Sequence, residues 1–223
     1  MRWTAADHVH NILQEMVLQG ALAPGDRLTE ISLAETLKVS RTPLRQALGK
    51  LEIKGWIKRS PNGTVHVAEV SAQELEALYA VRVVLEEMAV GEVAARHSRQ
   101  GLDELRDVLQ LQDQAIRRKE GTQVAELGEA FHRALWRQSD NPVAIEFLGC
   151  VQERTMRYRR LSFAQAPRFR EGNRQHWELV AAIEAVDARR AQDLTRRHVQ
   201  ESRGYALAAF AAWHSCRFAS TSS

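Results

Sequence analysis

With 223 residues, 44% of them hydrophobic and 26% charged, the chain can fill one large core or two of ordinary size. A formal charge of +3 excludes an extreme polyanion or polycation, and two cysteines, Cys150 and Cys216, exclude a multi-bridge disulfide framework and a four-thiolate zinc site. No run approaches the ~18 apolar residues of a membrane span, and the opening residues lack the apolar core of a signal peptide, so a cytoplasmic protein with reduced thiols and no membrane partner is expected.

Apolar residues Val9, Ile12, Leu13, Met16 and Val17 fall on one helical stripe within residues 4–19. Gly20 stops that helix, and Pro24-Gly25-Asp26 makes a turn. A short helix follows over 29–37, with Ile31, Leu33, Ala34 and Leu37 apolar. Ser40 is placed to cap a third helix, Pro43 falls in its first turn, and Leu44, Ala47, Leu48 and Leu51 form its buried stripe. The period then changes. Residues 56–59 and 64–67 read as two short strands joined through Ser60-Pro61-Asn62-Gly63. Three helices and a β-hairpin in this span describe a winged helix-turn-helix, with the hairpin leaning on the helices for stability.

Beyond Glu69 the pattern is helical. A long helix opens at Ser71, with Leu75, Leu78, Val81, Leu85 and Met88 as its expected stripe. Further helices are expected over 102–119, 122–138, 142–163, 168–187 and 190–213, with breaks at Arg99-Gln100-Gly101, Glu120-Gly121, Asp140-Asn141-Pro142 and Asp187-Ala188. Connections this short make antiparallel neighbours and hence a bundle. The fold class expected is therefore mostly α, a winged helix-turn-helix over 1–70 followed by an all-helical bundle over 71–217. The Ser- and Thr-rich tail after Ala219 is expected to be disordered.

The charge distribution adds chemistry to this outline. Between Lys38 and Arg59 stand Lys38, Arg41, Arg45, Lys50, Lys54, Lys58 and Arg59 against the single acid Glu52. Such an excess suits a polyanion, because each phosphate neutralised releases a condensed counterion. Arg41 and Arg45 are four apart, on one face, opposite the Leu44/Leu48/Leu51 stripe. An arginine near a helix N-terminus reaches guanine O6 and N7 in the major groove, while Ser40, Thr42 and the first-turn N–H groups suit phosphate oxygens.

Residues Pro24-Gly25-Asp26-Arg27-Leu28, Ser40-Arg41-Thr42-Pro43-Leu44-Arg45, Leu51-Glu52 and Gly55 together resemble the winged helix of the GntR family of regulators. The resemblance implies groove and phosphate contacts at Arg41, Thr42 and Arg45, and a wing tip, Asn62-Gly63, near the minor groove of double-stranded operator DNA.

Residues 71 to about 215 resemble the helical effector domain of the FadR-like branch, the FCD domain. The likeness rests on Leu78-Tyr79-Ala80-Val81-Arg82-Val83-Val84-Leu85-Glu86, on Ala130-Phe131-His132-Arg133-Ala134-Leu135 with Asn141-Pro142, and on Asn173-Arg174-Gln175-His176 with His198. Helix geometry points the same way. His176 lies 12 residues before Ala188 and His198 lies 10 after it, roughly 18 and 15 Å from a hairpin bend. His132 on a third helix joins them, and three imidazoles suit a divalent ion such as Zn²⁺ or Ni²⁺.

Metal-binding members of this branch place an aspartate four residues before the first histidine, where this chain has Gly128. Three readings stay open. Glu129 substitutes as a ligand, a three-histidine site leaves more positions to water or effector, or the histidines bind an organic anion without metal. The resemblance further implies that Arg82 faces the cavity and clamps a carboxylate, with Arg154 and Tyr158 as further effector-binding residues. The seven arginines between 153 and 174 read mostly as solvated surface.

Catalysis is not expected. Glu129-x-x-His132 resembles half of a di-iron carboxylate site, but His176 and His198 have Asn173 and Thr195 where the second half needs a glutamate. No phosphate-binding loop or nucleophile setting is present. The expectation is a homodimeric, effector-responsive DNA-binding regulator, more simply a repressor, sensing a small organic acid.

Overall fold

The computed structural model describes residues 4–159 and 166–219. In chain order its elements are α1 (Ala5–Gln19), β1 (Arg27–Leu28), α2 (Glu30–Leu37), α3 (Arg41–Ile53), β2 (Ile57–Arg59), β3 (Val65–Val67), α4 (Ala72–Arg96), α5 (Arg99–Arg118), α6 (Gly121–Trp136), α7 (Pro142–Arg159), α8 (Ala166–Glu184) and α9 (Ala188–Ala219). The fold is mostly helical with one small sheet. The chain divides into two compact units, Met1–Ser71 with Glu153–Arg160, and Ala72–Gln152 with Leu161–Ser223. None of the described helices is long and apolar enough to cross a membrane.

In the first unit α1 starts on a capping box, Thr4 accepting from Asp7 N while the Asp7 carboxylate accepts from Thr4 N at 3.1 Å. Its Val9, Leu13 and Val17 pack on Leu44, Ala47, Leu48 and Leu51 of α3. Trp56 and Ile57 close the same core from the hairpin, and Met156 of α7 lies against it. The wing turns tightly at Gly63, whose φ of 81° suits a residue without a Cβ.

Two details depart from the sequence expectation. A third strand, β1, pairs with β3, so the sheet order is β1-β3-β2, with Arg27 opposite His66 and Leu28 opposite Val65. Two residues are too short to show a period of two, which is why the strand is silent in the sequence. Ile31 is exposed rather than part of the α2 stripe; Leu33 is the residue α2 buries.

The second unit is an all-α bundle in which α4 packs along α9, while α5, α6 and α8 complete the core. Its centre is built from Val90, Val93, Leu105, Leu109, Phe131, Leu135, Leu179 and Ile183. The α6–α7 connection follows expectation, Asn141 Oδ1 accepting from Ala144 N at 2.9 Å before Pro142 opens α7. The expected break at residues 99–101 is instead the start of α5, capped by Ser98. Gly101 stands there because Gln138 packs on it, its amide donating to Gly101 O at 3.1 Å. The turn between α8 and α9 closes with Val186 N bonded to Ile183 O and Asp187 N to Ala182 O. Those bonds match a Schellman ending, but its left-handed position holds Val186 at φ 57°.

The stripe expected for α4 is only half right. Leu75 and Leu78 are buried and Leu85 is half-buried, but Val81 and Met88 are exposed while Arg82 and Glu86 turn inward. The charged pair satisfies itself there, which lets that face of the helix sit against polar residues of the bundle. The expected end of α7 at 163 and the tail after Ala219 lie outside the described residues.

Candidate functional site

Two surfaces carry chemistry, one in each unit. On the first, α3 presents Ser40, Arg41, Thr42 and Arg45 to solvent while its opposite face is closed in the core. Ser40 occupies the N-cap position, yet its side chain makes no capping hydrogen bond, and the first turn contains no acid. The N-terminal N–H groups and the positive end of the dipole therefore face outward without an internal counterpart, in contrast to the capped α1. Arg45 is not idle: its Nε donates to Glu30 Oε2 of α2 at 2.7 Å, with the guanidinium side chain still 64% exposed. Asn62 and Gly63 form the exposed tip of the wing, where Asn62 Oδ1 accepts from Thr64 N at 3.0 Å.

In the second unit α6, α8 and α9 bring His132, His176 and His198 together. All three are buried, and one ligand nitrogen from each lies within 4.8 Å of the others. His176 Nε2 and His198 Nε2 are 3.3 Å apart. Two nitrogens on a tetrahedral ion at about 2.1 Å would stand about 3.4 Å apart, so this pair already has the spacing of one coordination sphere. The α8–α9 hairpin geometry read from the sequence accounts for the match.

Each imidazole is held differently. His198 Nδ1 lies 2.8 Å from Gln175 Oε1, and Gln175 Nε2 donates to Glu171 Oε1 at 3.0 Å and Glu201 Oε2 at 2.6 Å. Two carboxylates accept only, so they fix the amide with its oxygen toward His198. His198 must then carry its proton on Nδ1, and its Nε2 lone pair points at the cluster. His132 Nδ1 lies 3.4 Å from Glu86 Oε2, a contact longer than a good hydrogen bond but still strongly electrostatic in a buried setting. His176 is held by stacking on Phe131, with ring centroids 4.3 Å apart.

Electrostatics favour the neutral form of His176 and His198. Burial, then the charges of His132, Arg168 and Arg82, push His176 well below the ordinary histidine range. Burial and then His176 and His132 do the same to His198. Burial opposes ionisation of Glu86, but Arg82 and then His132 outweigh it and hold the carboxyl below its usual range. Arg82 Nε bonds Glu86 Oε1, so this guanidinium already has a carboxylate of its own. Neutral imidazoles with a converging lone pair are what a borderline divalent ion requires, and the residues present fit such an ion.

Glu129 is not brought into this cluster; its Oε2 lies 3.5 Å from Arg133 Nη1 on its own helix, and the carboxylate that reaches His132 is Glu86. Arg154 and Tyr158 fall in the first unit, whereas the triad belongs to the second. Tyr158 is fully buried there, its hydroxyl accepting from Ser71 N at 3.1 Å and donating to Ser71 O at 3.2 Å. Sequence reasoning missed Glu86, Gln175 and Arg168 as site residues. The first two sit inside quoted motifs, but nothing in their spacing marked them.

Comparison with known proteins places both units. Residues 5–67 match the model for bacterial regulatory proteins of the gntR family, and residues 77–201 match the FCD domain. The Nta operon transcriptional regulator of Aminobacter aminovorans is 36% identical over 131 residues, 59% of this chain and 62% of that protein. The transcriptional regulator McbR of Escherichia coli K12 is 32% identical over 140 residues, 63% of each. The chain thus spans less than two thirds of the length of these curated relatives. A solved structure of E. coli McbR is similar with a TM-score of 0.80 and 26% identity, covering 94% of this chain and 100% of that one. The chain belongs to the GntR family of bacterial regulatory proteins and carries an FCD domain behind its winged helix.

Proposed function

We propose that the protein is a cytoplasmic, homodimeric, sequence-specific DNA-binding transcription regulator, acting as a repressor, whose helical domain senses a small organic acid beside a divalent metal. The observation that carries the DNA half is the uncapped, acid-free and exposed start of α3, with Arg41, Thr42 and Arg45 on its open face. Arg41 and Arg45 read base edges, while Ser40, Thr42 and the wing tip at Asn62 and Gly63 hold the phosphate backbone. Two such heads in a dimer address a pseudo-palindromic operator.

The sensing half rests on the buried triad. His132, His176 and His198 would hold the ion, which supplies a positive charge and an open position for an effector oxygen. This chain's own residues do the rest: Gln175 and Glu86 orient two of the rings, and burial keeps His176 and His198 neutral. An effector that favours one arrangement of the dimer shifts the population of reading heads able to bind.

Selection of binding sites from a random duplex pool tests the DNA half. The reading expects enrichment of a two-half-site sequence; a pool that stays random overturns it. Metal content after loading with Zn²⁺ or Ni²⁺ tests the sensing half, with uptake expected in the parent and abolished in His176→Ala; an unoccupied parent would refute the metal.

A further inference from the structure

We propose that Glu153 is a positioning residue for DNA reading: it clamps the C-terminal end of α3 from α7, so that events in the second unit reach the recognition helix along α7. This rests on α3 being the reading helix and adds what holds that helix and what can move it.

The two ends of α3 are treated differently. Its start is uncapped and exposed. Its end is closed: Trp56 N bonds Leu51 O at 2.8 Å and Gly55 N bonds Glu52 O at 3.0 Å, a Schellman pair with Gly55 left-handed at φ 73°. Lys54, at the C-cap, donates from Nζ to Glu153 Oε1 at 2.8 Å. The other oxygen of that carboxylate accepts from Gln14 Nε2 of α1 at 3.4 Å. One carboxylate thus ties α1 and α3 to α7. Its neighbours on α7 complete the grip. The Arg154 side chain packs at Gly55, Met156 lies against the core built by α1 and α3, and Arg157 Nη1 donates to Ala68 O at 3.5 Å.

Geometry makes this end of α3 a lever. From Lys54 back to Arg41 the helix rises about 20 Å, so a tilt of about 5° at the clamp moves Arg41 by about 2 Å, more than a hydrogen bond to a base edge tolerates. The Lys54–Glu153 pair is partly exposed, 37% and 30%, so it adds little to global stability. Its effect is on where α3 points. α7 itself belongs to both units: through Gln152 it counts with the second, and from Glu153 onward with the first. In the second unit Ile145 and Leu148 pack with Ala89 and Trp136, and the Trp136 ring lies 5.8 Å from that of His132 between centroids. Packed side chains therefore lead from the histidine cluster into α7, and the same helix carries the carboxylate that holds α3.

Full-length variants test the clamp on an operator selected from a random pool and on random duplex. Removing an acid near a DNA-binding face tightens binding to any duplex by charge alone. Glu153→Gln is expected to do the opposite for the operator, weakening it by about 5-fold or more, with random duplex bound no more weakly and the thermal midpoint nearly unchanged. Lys54→Gln breaks the pair from its other side. The operator-to-random ratio is expected to fall by the same factor in either single variant and in the double. Additive losses, or an operator bound as tightly by Glu153→Gln as by the parent, overturn the clamp.

A pool that yields no operator removes the DNA reading by itself, and amide exchange at Lys54, Gly55 and Trp56 then decides the clamp. Faster exchange in Glu153→Gln supports it; unchanged exchange overturns it. The link along α7 is read at the same three amides. Ile145→Ala, in the second-unit half of α7, is expected to speed their exchange, and Val108→Ala on α5 is expected not to. Equal effects of the two, or none with Ile145→Ala, overturn the link.

Discussion

Gln175 and His198 are bound across the α8–α9 interface, Gln175 Oε1 to His198 Nδ1 at 2.8 Å, and two glutamates decide which end of the amide faces the ring. Outer partners of this kind are worth 10–100-fold in metal affinity. Gln175→Leu is therefore expected to weaken Zn²⁺ binding by about 10–100-fold. Nitrogen NMR of the metal-free protein reads the cause directly: the parent holds its His198 proton on Nδ1, and the variant distributes it over both nitrogens. An unchanged tautomer would remove Gln175 from this role.

Glu30 holds Arg45 in a 2.7 Å ion pair on the protein surface, and on the proposed reading that pair must open before Arg45 reaches DNA. Because both groups are partly exposed, the pair contributes little to stability. Glu30→Ala should leave the thermal midpoint nearly unchanged while tightening binding to duplex DNA at low salt and steepening its salt dependence. Fluorescence anisotropy across a salt series measures both; equal slopes in parent and variant would show that Arg45 never leaves Glu30 for a phosphate or base.

Val186 occupies a left-handed position in an exposed turn, where a β-branched residue is strained by about 1–2 kcal/mol. Val186→Asn should raise unfolding free energy by roughly 1 kcal/mol, since asparagine tolerates this conformation and little apolar burial is lost. Urea denaturation decides it, and a destabilised variant would mean that the Val186 side chain packs more than its exposure suggests.

His176 and His198 have folded-state pKa values below the ordinary histidine value of about 6.5. The unfolded chain then binds more protons than the native one below that pH, so acid favours unfolding. Metal-free protein should keep the stability from these groups above about pH 6.5 and lose it progressively as the pH falls below that value. Denaturation midpoints of the parent and His198→Gln across this range provide the check, the parent being the more acid-sensitive. Parallel curves would contradict neutral burial of His198.

Most of the first unit is legible from residues alone because its signals are local: the α1 and α3 stripes, the Ser40 start and the Asn62-Gly63 turn are all set by neighbours in sequence. The triad was legible too, since a hairpin bend at Ala188 brings positions at equal distance to equal height. What was not legible depends on three-dimensional pairing. Arg82 and Glu86 invert the expected α4 stripe because each answers the other's charge inside the bundle, and β1 exists only because β3 lies beside it. Arg168 reads as one of many surface arginines until α9 supplies Ser202, and Glu129, a ligand in one of three open readings, lies beside Arg133 of its own helix.

The most direct test of DNA reading by α3 is a double-mutant cycle on a selected operator, combining Arg45→Ala with substitution of each half-site guanine. The account predicts one guanine whose replacement costs about 1–3 kcal/mol with Arg45 present and almost nothing without it. Additive losses at every guanine, with Arg45→Ala weakening operator and random duplex alike, would contradict base readout by this helix.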